Sequence, residues 1–258
     1  MNLTGAQFRK FSDLVYRRSG IHLSEGKQSL LQARLGKRLR TLGLTSVNEY
    51  FSRLHADEQE MVDFLDAVST NHTYFFRESH NFDCLCENHR SIWCAASSSG
   101  EEPYSLAVYC AEKGFQPSIL ATDISTRMLA AGEKGVYDAA KGKGIPPDLL
   151  RKYFQKGVGS WSGYIRVKER IRRLVTFKRF NLLTDIPPKE CFDVILCRNV
   201  LIYFDRAVKE EVINRLYPAL KGSGYFIVGG AESLHNLRHP YQYVAPSLYR
   251  KPATPNRP

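Results

Sequence analysis

The stretch from Ile92 to Ser125 constrains the fold most, because it combines two apolar segments, a loop of small residues and a terminal carboxylate. The apolar segment 92–95 precedes a loop of one alanine, three serines and Gly100, whose small side chains let a ligand approach the backbone. A stretch with helical spacing follows, and a second apolar segment, 118–122, ends at Asp123. In doubly wound folds, a carboxylate roughly 20 residues after such a glycine binds ribose hydroxyls. The order predicts a site for an adenosine compound.

The charge of this loop indicates which adenosine compound it binds. A dinucleotide loop holds pyrophosphate with several glycines and a helix N-terminus, whereas here a single glycine precedes Glu101 and Glu102. Two carboxylates repel a phosphate and attract a cation, so the sequence favours S-adenosylmethionine, which carries sulfonium and ammonium groups. Two alternatives stay open: the glutamates could complement only the helix dipole, and Asp123 could be a plain strand-end cap.

Composition limits the class of protein. At 258 residues and 43% hydrophobic content, the chain can bury a substantial core. It has no apolar run of 18 residues and no signal-peptide pattern at its start, so we expect a soluble cytoplasmic protein. Its six cysteines form no CxxC pair and its seven histidines are scattered, so we expect buried thiols and no metal site. The net charge of +11 indicates an acidic partner.

The chain divides into three predicted parts. Residues 1–70 have helical spacing throughout, 71–91 are a linker with a lead-in helix, and 92–258 alternate between strands and helices as a parallel sheet requires. Within the last part, several glycines and an alternating strand predict a small β insertion at about 155–178.

Three basic residues of the second predicted helix form a ridge. At 100° per residue, Lys27, Arg34 and Arg38 fall within about 20° of one line along the helix. We interpret this ridge as a docking surface for an acidic helix. The alternative is an ordinary solvated helix face.

Further polar residues are expected at the same pocket, because ligands of open α/β sheets bind outside the carboxyl ends of the strands. Arg198 and Asn199 directly follow the third core strand, where polar side chains have little structural reason to be, and Tyr203 lies just beyond. Asn181 and Leu182 follow another apolar segment. For Asn181 the alternative is a loop-capping amide.

A run before the sheet, residues 70–78, adds Arg77 to the residues expected at the pocket. The alternative role of Arg77 is an ordinary salt bridge with Glu78.

Taken together, five motifs resemble the CheR family of S-adenosylmethionine-dependent chemotaxis receptor methyltransferases: NHTYFFRE, SSGEEPYSLA, ATDIS, FNLL and CRNVLIYFD. The resemblance spans nearly the whole chain. It implies an α/β fold with a Rossmann-like class I methyltransferase sheet and a small inserted β-subdomain, preceded by an all-α N-terminal domain.

The resemblance also implies roles for individual residues. Cofactor contacts are expected from nine positions: Asn71, Thr73, Arg77, Glu101, Asp123, Asn181, Leu182, Arg198 and Asn199. Arg77 and Tyr203 are expected to be the catalytic residues nearest to methyl transfer. Asp123 is expected at the ribose and Glu101 at the cationic methionine part.

The implied reaction moves a methyl group from S-adenosylmethionine to the γ-carboxylate of a receptor glutamate and leaves S-adenosylhomocysteine. The implied partners are methyl-accepting chemotaxis receptors, bound through acidic methylation helices and, in some family members, through a C-terminal tether peptide. We expect a monomer that meets the membrane only through receptors and binds no nucleic acid.

Two other functions stay open from the residues alone. The charge would suit a nucleic-acid or tRNA methyltransferase, and a non-catalytic S-adenosylmethionine-binding module needs the same pocket. The first is disfavoured because residues 198–201 read RNVL, where base methyltransferases commonly carry an Asn/Asp-Pro-Pro-aromatic run.

Overall fold

The computed structural model describes residues 3–69 and 71–253. The predicted domain ends at 70 and 258 therefore lie outside the described residues, as does the first residue of the run 70–78. No helix in the described part of the chain is long and apolar enough to cross a membrane.

Residues 3–69 fold into four packed helices. They are α1 (Gly5–Ser19), α2 (Gln28–Leu42), α3 (Val47–Ala56) and α4 (Glu58–Val68). Helix α1 begins with a capping box at Thr4 and ends at Gly20, which has a left-handed φ of 74° that glycine adopts without strain. The apolar faces meet in one core, in which Phe11, Tyr50 and Phe64 are at most 1% exposed.

Ten strands follow among the described residues. They are β1 (Ser91–Ala95), β2 (Ser118–Asp123), β3 (Val136–Asp138), β4 (Phe154–Lys156), β5 (Tyr164–Val167), β6 (Val175–Arg179), β7 (Phe192–Cys197), β8 (Leu220–Ile227), β9 (Gln242–Ala245) and β10 (Leu248–Arg250). Seven of them form one sheet in the order β6-β2-β1-β7-β8-β10-β9. The strands from β6 to β8 are parallel, and β10 is antiparallel to β8. The carboxyl ends of β1, β2 and β7 therefore share one edge of the sheet.

Within residues 71–253, three helices cover the two faces of this sheet: α5 (Glu101–Glu112) and α6 (Thr126–Lys134) contact β2 and β6, and α9 (Arg206–Leu216) packs on the face of Trp93. Of the two shorter helices, α7 (Pro147–Tyr153) contacts β4 of the small sheet and α8 (Glu169–Arg172) contacts α5. Trp93 packs in the core on one face and Cys94 in the core on the other, because successive strand side chains point to opposite faces. Burial on both faces explains why β1 is a continuous apolar segment. The predicted α/β class is confirmed.

The small sheet differs in extent from the insertion predicted at about 155–178. It is antiparallel, has the order β3-β5-β4, and begins at Val136. The strand β6, at the end of the predicted range, instead pairs in parallel with β2 in the large sheet. A three-residue strand such as β3 is too short to show alternation, which is why the sequence pattern did not reveal it.

Side-chain contacts fix the four N-terminal helices to the rest of the chain. The Tyr16 hydroxyl donates a 2.6 Å hydrogen bond to Asp205, just before α9. The Asp66 carboxylate accepts a 3.0 Å bond from the Arg127 N–H in the first turn of α6. The helices therefore sit against the carboxyl edge of the large sheet.

Candidate active site

A cleft lies at the carboxyl ends of β1, β2 and β7. This is where open α/β sheets bind ligands. Ser19 and Ile21, at the end of α1, contribute to its wall. Nine of the ten residues predicted for the cofactor and for catalysis line it: Asn71, Thr73, Arg77, Asp123, Asn181, Leu182, Arg198, Asn199 and Tyr203.

The loop after β1, residues 96–100, is held in left-handed backbone conformations, with φ of 64° at Ala96, 49° at Ser98 and 92° at Gly100. For non-glycine residues such angles cost roughly 1–2 kcal/mol each and persist where surrounding contacts impose them. A Cβ on Gly100 would lie 3.0 Å from the Tyr137 hydroxyl. The Ser97 and Ser98 hydroxyls are buried without a hydrogen-bond partner among the described residues, and both residues line the cleft. The loop therefore offers unpaired polar groups to a ligand.

Asp123 ends β2 at the cleft and is 6% exposed. Its carboxylate accepts backbone N–H groups from Ser98 at 2.8 Å and from Ser125 at 2.9 Å, so it does cap the strand end. Burial raises the pKa of this carboxyl above its ordinary value, against the two N–H donors. A carboxylate has about four lone-pair sites, so two remain for hydroxyl donors such as those of a ribose.

Glu101, the tenth predicted residue, does not line the cleft, so the prediction that it contacts the cofactor is corrected. Its side chain is fully buried behind the loop and contacts Lys141 and the Ser99 hydroxyl. The next residue, Glu102, lines the cleft instead. Consecutive residues of a helix point about 100° apart, so only one of two adjacent glutamates can face the ligand.

A buried ion network supports this face of the cleft. The Arg198 guanidinium is fully buried and bonds Glu102 at 2.8 Å, Glu78 at 3.1 Å and the Arg77 carbonyl at 2.7 Å. Burial raises the pKa of Glu102, and Arg198 limits the rise. Burial also opposes ionisation of Glu78, but the Gly230 N–H and Arg198 outweigh it and hold the pKa of Glu78 below its ordinary value. The network combines a cofactor-side carboxylate with the cation that orients it.

Arg77 lies at the cleft with its guanidinium held on several sides. It donates to the His72 carbonyl at 3.1 Å, lies 3.8 Å from the Glu78 carboxylate, and has its central carbon 5.6 Å from the Tyr74 ring centre. The salt bridge with Glu78 is therefore present alongside the cleft position. Tyr203 lines the same cleft, and burial raises the pKa of its phenol, which therefore stays protonated at neutral pH.

Asn181 and Asn199 line the cleft, and both make hydrogen bonds within the protein. The Asn181 side chain accepts the Leu183 N–H at 3.0 Å and donates to the Arg18 carbonyl at 2.8 Å, as a loop-capping amide does. Asn199 has a left-handed φ of 59°, and its N–H donates to Glu232 at 2.7 Å. The Asn199 side-chain amide donates to the Glu78 carboxylate at 3.4 Å. Asn181 therefore shapes the cleft wall through the backbone it holds, and Asn199 through its contacts with two carboxylates.

The basic ridge is smaller than predicted. The Arg38 guanidinium pairs with Glu60 and Asp63 of α4 and its side chain is only 17% exposed, so its charge is neutralised within the protein. Its assignment as a docking residue is corrected for that reason. Arg34 is exposed, and the Lys27 ammonium lies 5.6 Å from the Tyr203 ring centre. Two cations of the ridge therefore remain, one of them beside the cleft.

The groups at the cleft fit S-adenosylmethionine. Asp123 offers acceptors for ribose hydroxyls, Glu102 offers a negative charge for the ammonium or sulfonium, and Leu182 offers an apolar wall. The unpaired hydroxyls of Ser97 and Ser98 suit the polar end of an amino acid.

Comparisons with known proteins agree with this chemistry. A family model described as the all-alpha domain of CheR methyltransferases matches residues 6–69, and one described as the CheR S-adenosylmethionine-binding domain matches residues 71–249. The chain belongs to the CheR methyltransferase family. The resemblance predicted from the five motifs is confirmed, and so is S-adenosylmethionine as the cofactor of this CheR protein.

Curated relatives cover nearly the whole CheR chain. It is 37% identical to the chemotaxis protein methyltransferase of Salmonella typhimurium, over 96% of this chain and 90% of that one. It is 36% identical to the protein of the same name from Escherichia coli, over 96% and 91%, and 37% identical to chemotaxis protein methyltransferase 2 of Pseudomonas aeruginosa, over 95% and 93%.

Proposed function

We propose that this CheR protein transfers a methyl group from S-adenosylmethionine to glutamate side chains of chemotaxis receptors, forming methyl esters. The observation that carries the proposal is the match over 95–96% of the chain to proteins named chemotaxis protein methyltransferase. The cleft supports it, because Arg77 and Tyr203 line the same cavity as Asp123 and Glu102. A group that binds carboxylates therefore lies beside the cofactor residues.

The chemistry asks little of the protein beyond positioning. When bound, S-adenosylmethionine supplies the methyl group and leaves as S-adenosylhomocysteine. A glutamate with a pKa of about 4.3 is already ionised at neutral pH, so no general base is needed. Arg77 binds and orients the carboxylate, and the protonated Tyr203 phenol donates a hydrogen bond to it. Holding the carboxylate oxygen in line with the methyl carbon lowers the barrier by proximity and orientation.

The direct test is methyl transfer from labelled S-adenosylmethionine to membranes that contain chemoreceptors of the same organism. Label released as methanol by mild base is expected, because a carboxyl methyl ester hydrolyses under those conditions. Tyr203→Phe should lower kcat and leave the affinity for S-adenosylhomocysteine unchanged. Base-stable label on RNA or DNA, or none on receptors, would contradict the proposal.

For receptor docking, we propose that Lys27 and Arg34 bind an acidic methylation helix. Both lie on one side of α2 and its lead-in turn, and the contact of Lys27 with the Tyr203 ring places this side next to the cleft. Reversing both charges to glutamate should raise the KM for receptor without changing that for the cofactor. Arg40→Glu, on the opposite side of the same helix, is the matched control. Equal KM values in both variants would reject this docking surface.

The remaining partner assignments are also proposals. We propose a cytoplasmic monomer that meets the membrane only through receptors, and a tether peptide, in receptors that carry one, that binds at the small sheet. A cavity there is lined by Lys156, Trp161 and Tyr164, and Trp161 is 60% exposed. Calorimetry with receptor C-terminal peptides tests this, and Trp161→Ala should weaken binding.

A further inference from the structure

Residues outside the cleft hold the cofactor loop 96–100 from behind. Glu101, fully buried at the start of α5, places one carboxylate oxygen against Lys141 and accepts a 2.7 Å hydrogen bond from the Ser99 hydroxyl with the other. The Tyr137 hydroxyl donates a 2.8 Å bond to the Ser99 carbonyl. Tyr137 lies in β3 and Lys141 in the short 3-10 segment that follows it, Ala139–Gly144. The small sheet therefore contacts the loop directly through Tyr137, and its adjoining turn contacts the loop through Glu101.

The buried Glu101 carboxylate needs the Lys141 ammonium to compensate its charge. Glu101 is fully buried, whereas the Lys141 side chain is 43% exposed and reaches inward from the surface. A buried carboxylate that loses its cation keeps only the weaker bond to the Ser99 hydroxyl, and an unpaired buried charge is strongly unfavourable. Without Lys141, the carboxylate is driven toward water, and Ser99 is released or displaced with it.

The opposite side of the same loop faces the cofactor. Ser97 and Ser98 line the cleft with unpaired hydroxyls, and the Ser98 N–H binds Asp123 at 2.8 Å. The left-handed backbone at Ser98 and Gly100 persists only while contacts impose it. A shift at Ser99 is therefore passed to the groups that meet the ligand.

We propose that Lys141 is a positioning residue for S-adenosylmethionine, acting through Glu101 on the loop 96–100. The small-sheet region thereby sets the cofactor affinity of a cleft that it does not line. This inference rests on the cofactor and not on the receptor as substrate, so binding of S-adenosylhomocysteine alone tests it.

The experiment is calorimetric titration of full-length variants with S-adenosylhomocysteine. Lys141→Met should raise the Kd about tenfold, within the usual range for coupling between sites. Lys141→Arg keeps the charge, so its Kd should remain within about threefold of the wild-type Kd. Lys143→Met removes an exposed charge from the same segment and should have no effect. A Kd for Lys141→Met equal to that for Lys143→Met would overturn the proposal.

A double-mutant cycle separates the proposed route from a general loss of structure. On a Glu101→Gln background no buried charge needs a partner, so adding Lys141→Met should change the Kd by less than about twofold. An undiminished effect of Lys141→Met there would overturn the route through Glu101. If Lys141→Met alone does not fold, the double variant decides. A folded double variant with a Kd within about twofold of that of Glu101→Gln supports the proposal, and a several-fold weaker Kd or a failure to fold overturns it.

Discussion

Replacing Arg198 with methionine removes the cation at the centre of the buried network. Its fully buried guanidinium bonds Glu102 at 2.8 Å and Glu78 at 3.1 Å, and methionine fills comparable space without charge. Glu102 then remains in the interior without its cation, Glu78 keeps its 3.8 Å ion pair with Arg77 and the Gly230 N–H, and the Arg77 carbonyl loses its donor. Breaking a buried pair by removing one partner costs about 3–5 kcal/mol, and we expect a destabilisation in that range.

The assay is thermal and urea-induced unfolding followed by circular dichroism. For a chain of this size, 1 kcal/mol shifts the Tm by about 2–4 °C, so Arg198→Met should lower it by about 10 °C. The matched control is Arg151→Met. That arginine is 74% exposed and pairs with Asp148, so its loss should cost less than about 1 kcal/mol.

The outcome that refutes the reasoning is a Tm for Arg198→Met no lower than that of Arg151→Met. A second comparison isolates the cause. Adding Glu78→Gln and Glu102→Gln to Arg198→Met removes the negative charge from both former partners of Arg198, and about half of the lost stability should return. No recovery would mean that packing, and not charge, accounts for the loss.

Three further predictions concern catalysis, binding and pH. Tyr74→Ala should lower kcat about two- to fivefold with unchanged S-adenosylhomocysteine affinity, because the Arg77 guanidinium loses a cation–π contact, and Tyr74→Phe should not. Asp123→Asn should weaken the binding of S-adenosylhomocysteine about tenfold, as measured by calorimetry, because hydrogen bonds to a charged acceptor are stronger than those to a neutral one. Burial opposes ionisation of Asp193, but Lys221 and backbone donors hold its pKa below the ordinary value. The ionised Asp193 carboxylate therefore stabilises the fold above about pH 4, and this stabilisation is lost as the pH falls through the lowered pKa. Asp193→Asn lacks this carboxylate, so its urea midpoint should fall less than that of the wild type when the pH is lowered below about 4.

The sheet could be predicted because its strands carry a strong local signal. The apolar segments at β1, β2 and β7 are continuous, since helices cover both faces, and small residues or carboxylates mark where they end. The order of strands and helices then defines which edge holds the cleft. Nine predicted residues meet there although they come from four separate stretches of the chain.

The choice between adjacent glutamates could not be predicted in this way. Glu101 and Glu102 share the same loop, charge and helix end, and only the rotation of α5 decides which faces the ligand. That rotation depends on the left-handed Gly100 and on contacts from Tyr137 and Lys141, about 40 residues further along the chain.

The partners of Arg38 in the basic ridge could not be predicted for a related reason. Helical spacing places Arg38 on the same side of α2 as Lys27, but it does not reveal a partner on another helix. Glu60 and Asp63 lie 22 and 25 residues away, and they neutralise the charge only because α4 packs against α2. A charge pattern within one helix therefore does not reveal ion pairs with residues of other helices.

The contacts between the N-terminal helices and the sheet bear on how such proteins could be recombined. The bond from Asn181 reaches the backbone carbonyl of Arg18, so a graft of the helices from a relative keeps it whatever side chain stands at that position. The bond between Tyr16 and Asp205 needs both side chains, and a graft breaks it unless the two match. Because Ser19 and Ile21 also form part of the cleft wall, a poorly matched graft disturbs cofactor binding itself. The helices and the sheet are thus best inherited together, as one unit and not as interchangeable modules.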